Sequence, residues 1–290
     1  MNEFINALFD PQIPFFRYAF FSGIAASVAF GIVGTYVVTR RITYIAGAIS
    51  HCVLGGIGAA LYLKATMKWE WLDPIYGAVA AALAAALIIG FVSLKAKQRE
   101  DTVIGALWSV GMALGIIFIA KTPGYVDAMS YLFGNILLVS RHDLAMVLIL
   151  DVLVLTLAIF FYNKFQAVCF DEKFARLRGI NVEFYYLLLL CLTALTVVLL
   201  VTVVGIVMVI ALLTLPAAVA GQFSSRLWKM MLLSIVLSMF FTSAGIAVSY
   251  ESNLPSGPTI ILIAGVSYLF SVCYKKIACS KKWRNSNHGS

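Results

Sequence analysis

Long apolar runs alternate with short polar breaks from one end of the chain to the other, and the runs share one length. Nine of them, at 15–38, 42–63, 75–94, 103–120, 144–161, 184–203, 205–222, 228–249 and 257–274, come close to the roughly 20 mainly apolar residues that a membrane-crossing helix needs. The sixth and seventh meet almost without a loop at Val204–Gly205. The pattern predicts an all-α integral membrane protein of about nine transmembrane helices. Residues 1–14 read as an outer N-terminal segment, 15–275 as one transmembrane domain and 276–290 as a cytoplasmic basic tail. Glu3 and Asp10 stand where a signal peptide would carry basic residues, and no small-residue cleavage site follows, so the first run reads as a retained span. Met129–Val139 is apolar but too short to cross, which suits an interfacial or half-buried segment.

Composition agrees with the pattern. The 290 residues are 62% hydrophobic and 12% charged, against about 25% charged in an ordinary soluble domain. Lys and Arg accumulate on the cytoplasmic side of a membrane. Alternate loops hold 16 of the 21 basic residues, from Arg40 and Arg41 through Lys164, Lys173, Arg176 and Arg178 to Lys275–Arg284. The other side holds only Arg17, Lys64, Lys68, Lys121 and Arg141. The N-terminus is therefore outside, the C-terminus inside, and the net charge of +8 is a topology signal that needs no nucleic-acid partner. Five cysteines without C-x-x-C spacing indicate neither a zinc knuckle nor a disulfide framework.

Within the spans, small residues recur four apart. Gly23, Ser27, Gly31 and Thr35 make one stripe and Gly111 with Gly115 another; such stripes let helix backbones approach closely where lipid supplies no hydrophobic drive. In the second span Gly47, His51, Gly55 and Ala59 share a face, so His51, near mid-span, points toward another helix. An intramembrane imidazole is either hydrogen-bonded to a neighbour or a ligand or relay on a permeation path, and the second is the commoner use. Asp151 in the fifth span must likewise meet a partner, a cavity or water, as a metal ligand or as a structural pair. Among the outer-loop acids, Asp127 and Glu251 are candidates to contact a cation gathered at the mouth.

The longest inner loop contains "FDEKFARLRGI". Phe170, Phe174 and Leu177 follow an i, i+4, i+7 pattern between Asp171, Glu172, Lys173, Arg176 and Arg178, with Ala175 inside the run and Gly179 as the stop. Aromatic anchors mixed with both charge signs suit a protein groove better than an anionic membrane surface.

Four stretches together resemble the membrane subunit of the ATP-driven importers for zinc, manganese and iron, the ABC metal permeases fed by cluster-A-type binding proteins: "RRITYIAGAISHCVLGGIG" (40–58), "REDTVIGALWSVGMALG" (99–115), "YLFGNILLVSRHDL" (131–144) with "FDEKFARLRGI" (170–180), and "LLTLPAAVA" (212–220) with "LPSGPTIIL" (254–262). The resemblance spans nearly the whole chain. It implies a permease domain over 15–275, in the cytoplasmic (inner) membrane of a bacterium, that works as a homodimer surrounded by lipid. It also implies a separate cytoplasmic ABC ATPase, an extracellular or periplasmic metal-binding protein, and no permanently bound cofactor beyond the divalent metal in transit. Phe170, Asp171, Glu172, Phe174, Ala175, Leu177, Arg178 and Gly179 correspond to the family's coupling helix, and His51 to its histidine on the path. Many relatives carry an acidic residue four positions before that histidine; here it is Gly47. Without that oxygen donor the preference tilts to zinc, with manganese or iron next.

No Walker A motif G-x-x-x-x-G-K-[ST] occurs, so the chain is expected to transport without hydrolysing ATP itself. The alternative is an ion-driven secondary transporter, which would show inverted repeats with broken helices. A membrane metallohydrolase would need clustered ligands such as H-E-x-x-H, which are absent.

Overall fold

The computed structural model describes residues 14–95, 100–124, 131–132, 134 and 140–286. Among these the chain forms eleven helices: α1 (Pro14–Arg40), α2 (Thr43–Met67), α3 (Pro74–Lys95), α4 (Glu100–Lys121), α5 (Arg141–Phe160), α6 (Tyr162–Phe170), α7 (Glu172–Leu177), α8 (Val182–Val204), α9 (Ile206–Phe223), α10 (Leu227–Ser252) and α11 (Ser256–Ser286). Nine are long and apolar enough to cross a membrane: α1 to α5 and α8 to α11. Each matches one predicted run to within a few residues. Most of the short apolar segment 129–139 lies outside the described residues, as does Asp127, and α11 carries its helix into the basic tail.

Contacts at the two ends of the bundle show which loops lie together. At one end Arg40 pairs with Glu172, the Thr39 hydroxyl meets Met230 Sδ at 3.8 Å, and Ala217, Ala220 and Met230 cluster with Val38. At the other end Arg141 bonds Tyr18, and Phe16 lies 5.2 Å from Tyr250. The first end carries the basic loops, which the charge rule expects on the cytoplasmic side, and is called the cytoplasmic end.

Glycines set the closest helix contacts. Gly55 packs so near α4 that a Cβ there would lie 2.9 Å from the Gly111 carbonyl oxygen, and one at Gly58 would lie 2.6 Å from that of Gly115. The α2–α4 pair is thus backbone against backbone, as the stripes predict. In α1, Ser27 and Thr35 bond the carbonyls of Gly23 and Gly31 one turn back, at 2.8 and 2.7 Å, so neither hydroxyl is left bare in the apolar core.

The near-absence of a loop between the sixth and seventh runs has a local cause. Gly205 alone separates α8 from α9, at φ 83° and ψ 158°, a region open in practice only to glycine. Gly134, also at positive φ, is wedged against the Val204 carbonyl and the Gly205 nitrogen. Replacing Gly205 with alanine should cost about 1–3 kcal/mol for the backbone alone. A lowered unfolding temperature in detergent, with Ala218→Gly as a milder comparison, checks this.

Candidate metal path and coupling surface

His51 sits eight residues into α2, about 12 Å from Thr43 and about 24 Å from Met67 at roughly 1.5 Å per residue. It is therefore nearer the cytoplasmic end than the mid-span position read from the sequence. Its side chain is 8% exposed, and Nδ1 has no hydrogen-bond partner among the described residues. The imidazole is instead stacked on the indole of Trp108 in α4, with centroids 4.5 Å apart and planes at 25°. The same indole fills the space beside Gly47: a Cβ there would collide with its Cζ3 and Cη2. The gap left by the missing acidic side chain is thus occupied by an aromatic ring, not by another donor.

On the cytoplasmic side of this pair is a cavity of about 480 Å³ between α2, α4, α9 and α11, lined in part by Arg41, Tyr44, Gly47, Trp108, Thr214 and Tyr268. Pro216 lies inside the continuous α9 and cannot donate to the Leu212 carbonyl, while the Thr214 hydroxyl bonds the Ile210 carbonyl at 2.8 Å. The wall of the cavity is therefore a helix with a locally weakened ladder.

Asp151 and Glu251 do not join His51 in one site. Asp151 is buried where α5 packs on α1, and its Oδ1 accepts from the Ala29 backbone N–H at 3.1 Å. Glu251 lies in the last turn of α10, exposed at the outer end of the bundle. No group of three or more His, Cys, Asp or Glu side chains among the described residues could hold a metal ion. The Cys169 thiol on α6 is no soft donor either: burial pushes it up to about 12, with only partial relief from Arg40, so it stays protonated.

The cytoplasmic loop forms two helices where the sequence suggests one. Asp171, extended at φ −153°, ends α6 at Phe170 and caps α7 by accepting from the N–H groups of Lys173 and Phe174 at 2.9 and 3.0 Å. Gly179, at φ 74°, closes α7 in a Schellman arrangement, its N–H bonding the Arg176 carbonyl and that of Ile180 bonding Ala175, both at 3.0 Å. Ala175 is fully buried against the body, and Glu172 turns inward to Arg40, whose guanidinium lies 5.4 Å from the Tyr186 ring centroid. Phe170, Phe174 and Leu177 face outward at 61%, 48% and 87% exposure, with Arg178 over the Phe174 ring at 4.8 Å. The predicted apolar face is present; Ala175 and Glu172 belong to its anchorage.

Sequence reading missed Trp108 and the Arg40–Glu172 pair. Trp108 shares the Gly111 and Gly115 face of its helix, three and seven residues on, which was the available signal for a side chain turned toward α2.

Comparison with known proteins fits this architecture. The family model described as the ABC 3 transport family matches residues 12–275. The chain belongs to that family. A probable metal transport system membrane protein of Chlamydia pneumoniae is 42% identical over 89% of this chain and 88% of its own length. The manganese transport system membrane protein MntC of Listeria monocytogenes is 34% identical, with 91% of each chain covered. Among solved structures, PsaBC from Streptococcus pneumoniae, in complex with Fab, superposes with a TM-score of 0.82 at 31% identity, covering 93% of this chain and 94% of that one. The ABC 3 chain described here is therefore a multi-pass membrane permease of the metal-transport type, a transport component and not a catalytic one. The secondary-transporter alternative is not favoured.

Proposed function

We propose that this permease imports a divalent transition metal along a path that passes His51, driven by a separate cytoplasmic ABC ATPase seated on Phe170, Phe174 and Leu177. An external metal-binding protein delivers the ion, two copies of the permease form the transporting dimer, and lipid surrounds it. Glu251, exposed at the outer end, and the loop acid Asp127 gather the cation before it descends.

The observation that carries this reading is His51. A buried imidazole nitrogen without a partner costs free energy in an apolar span and returns nothing to the fold. A neutral imidazole there is a ready ligand for a passing first-row metal. With the recess at Gly47 filled by an indole, the site offers nitrogen without a carboxylate grouped beside it among the described residues, which suits zinc over the harder manganese ion. A second reading, manganese, is favoured by the Listeria manganese transport protein and by the manganese import system permease protein ScaB of Streptococcus parasanguinis, 31% identical over 93% of this chain.

Cells relying on this system as their only high-affinity uptake route separate the two. Zinc is expected to outcompete manganese for permease-dependent accumulation of radioactive metal. Dominant manganese accumulation, insensitive to zinc, would reverse the preference, and no permease-dependent metal uptake at all would remove the functional reading.

A further inference from the structure

We infer that Trp108 is the cytoplasmic-side door of the His51 site, held shut by its fit between the imidazole and Gly47. The inference rests on the proposed path through His51. Trp108 is the residue common to both sides of the boundary: its ring stacks on the imidazole at 4.5 Å, and it also lines the 480 Å³ cavity beyond. His51 does not line that cavity, whereas Gly47, one turn toward the cytoplasm, does. The indole therefore stands between the face of the imidazole and the cavity.

The fit explains why the residue beneath is glycine. Even a methyl group at position 47 would overlap the indole Cζ3 and Cη2, so Gly47 is the recess that lets the ring lie flat against His51. The hold is weak enough to release. A stacked aromatic pair adds only a modest increment beyond its buried area, and the ring can swing into the adjoining cavity without displacing a packed core. Arg41 in the cavity lining disfavours a cation lingering there, so a metal ion passing the door moves on instead of binding a second time.

The test reads access and needs no transport. In a chain with Cys169, Cys191, Cys273 and Cys279 replaced by alanine and His51 kept, the native Cys52 thiol, next to His51 and bonded to the Leu107 carbonyl beside Trp108, is challenged in inside-out membrane vesicles with a membrane-impermeant cationic methanethiosulfonate. With Trp108 present, labelling is expected to be slow. Trp108→Ala should raise its rate roughly tenfold or more, as befits a change from a minor open state to a permanently open one. Gly47→Ala, which pushes the ring off from the other side, should also raise it, and Trp108→Phe should keep it low. Full-length abundance and a monodisperse detergent extract confirm that each variant is folded; should Trp108→Ala fail this check, Gly47→Ala decides. Equal labelling rates with and without the indole would overturn the door. Failure of uptake with the labelling pattern intact would count against the transport reading and leave the door standing.

Discussion

Replacing Phe174 with alanine is expected to strip the permease of its ATPase during purification and to leave any remaining ATP hydrolysis uncoupled from metal uptake. Phe174 is at the centre of the outward apolar face, between Phe170 and Leu177, and burying such an aromatic anchor commonly supplies about 2 kcal/mol or more of binding. Its loss corresponds to roughly thirtyfold weaker association. The helix that carries it is only six residues long and would be a poor lever by itself. It is tied to the bundle by buried Ala175, by the Arg40–Glu172 pair and, through Arg40, to the Tyr186 ring of α8. A push on Phe174 therefore reaches α1 and α8 directly. Arg178→Ala should do much less, because it removes an exposed cation–ring contact of about 0.5–1 kcal/mol. Affinity purification of both variants with the ATPase, alongside uptake, checks the order; a Phe174→Ala permease that retains its ATPase would reassign α7 to the lipid surface.

Alanine at His51 is expected to lower metal uptake by about 10–100-fold, the scale on which removing even a supporting group lowers metal affinity, while abundance stays near normal. The fold among the described residues does not depend on the imidazole hydrogen-bonding through Nδ1, which has no partner among them. What the substitution removes structurally is a stacked ring contact with Trp108. Asp151→Asn makes the contrast. Its oxygen can still accept from the Ala29 N–H, so uptake should stay near the wild-type level. Uptake of radioactive metal, normalised to immunoblotted protein, measures both. Full uptake by His51→Ala would place the path elsewhere.

The spans were legible because apolar length alone decides them: a run such as 75–94 has no other stable place, and α3 occupies Pro74–Lys95. The close α2–α4 contact was legible from glycine spacing, since only small residues admit another backbone. The boundary at Asp171 was not, because the i, i+4, i+7 period of Phe170, Phe174 and Leu177 continues through a residue whose side chain caps the following turn and thereby breaks the helix. The surroundings of His51 were legible only in part. Its face follows from helical period, but the ring that covers it comes from α4, 57 positions away in sequence, and no local pattern reports which side chain fills the recess at Gly47. Asp151 shows the same limit. Its burial could be foreseen, whereas its acceptance of a hydrogen bond from the α1 backbone depends on how two helices cross.

The central claim, ATP-driven metal import through this permease, is tested most directly by reconstitution. The permease, its ATPase and its metal-binding protein are placed in liposomes, with radioactive zinc and the binding protein on one side and ATP on the other. Zinc should accumulate only when all three proteins and hydrolysable ATP are present, and should fail to accumulate with His51→Ala. Accumulation without ATP or the ATPase, driven instead by an imposed ion gradient, would contradict it.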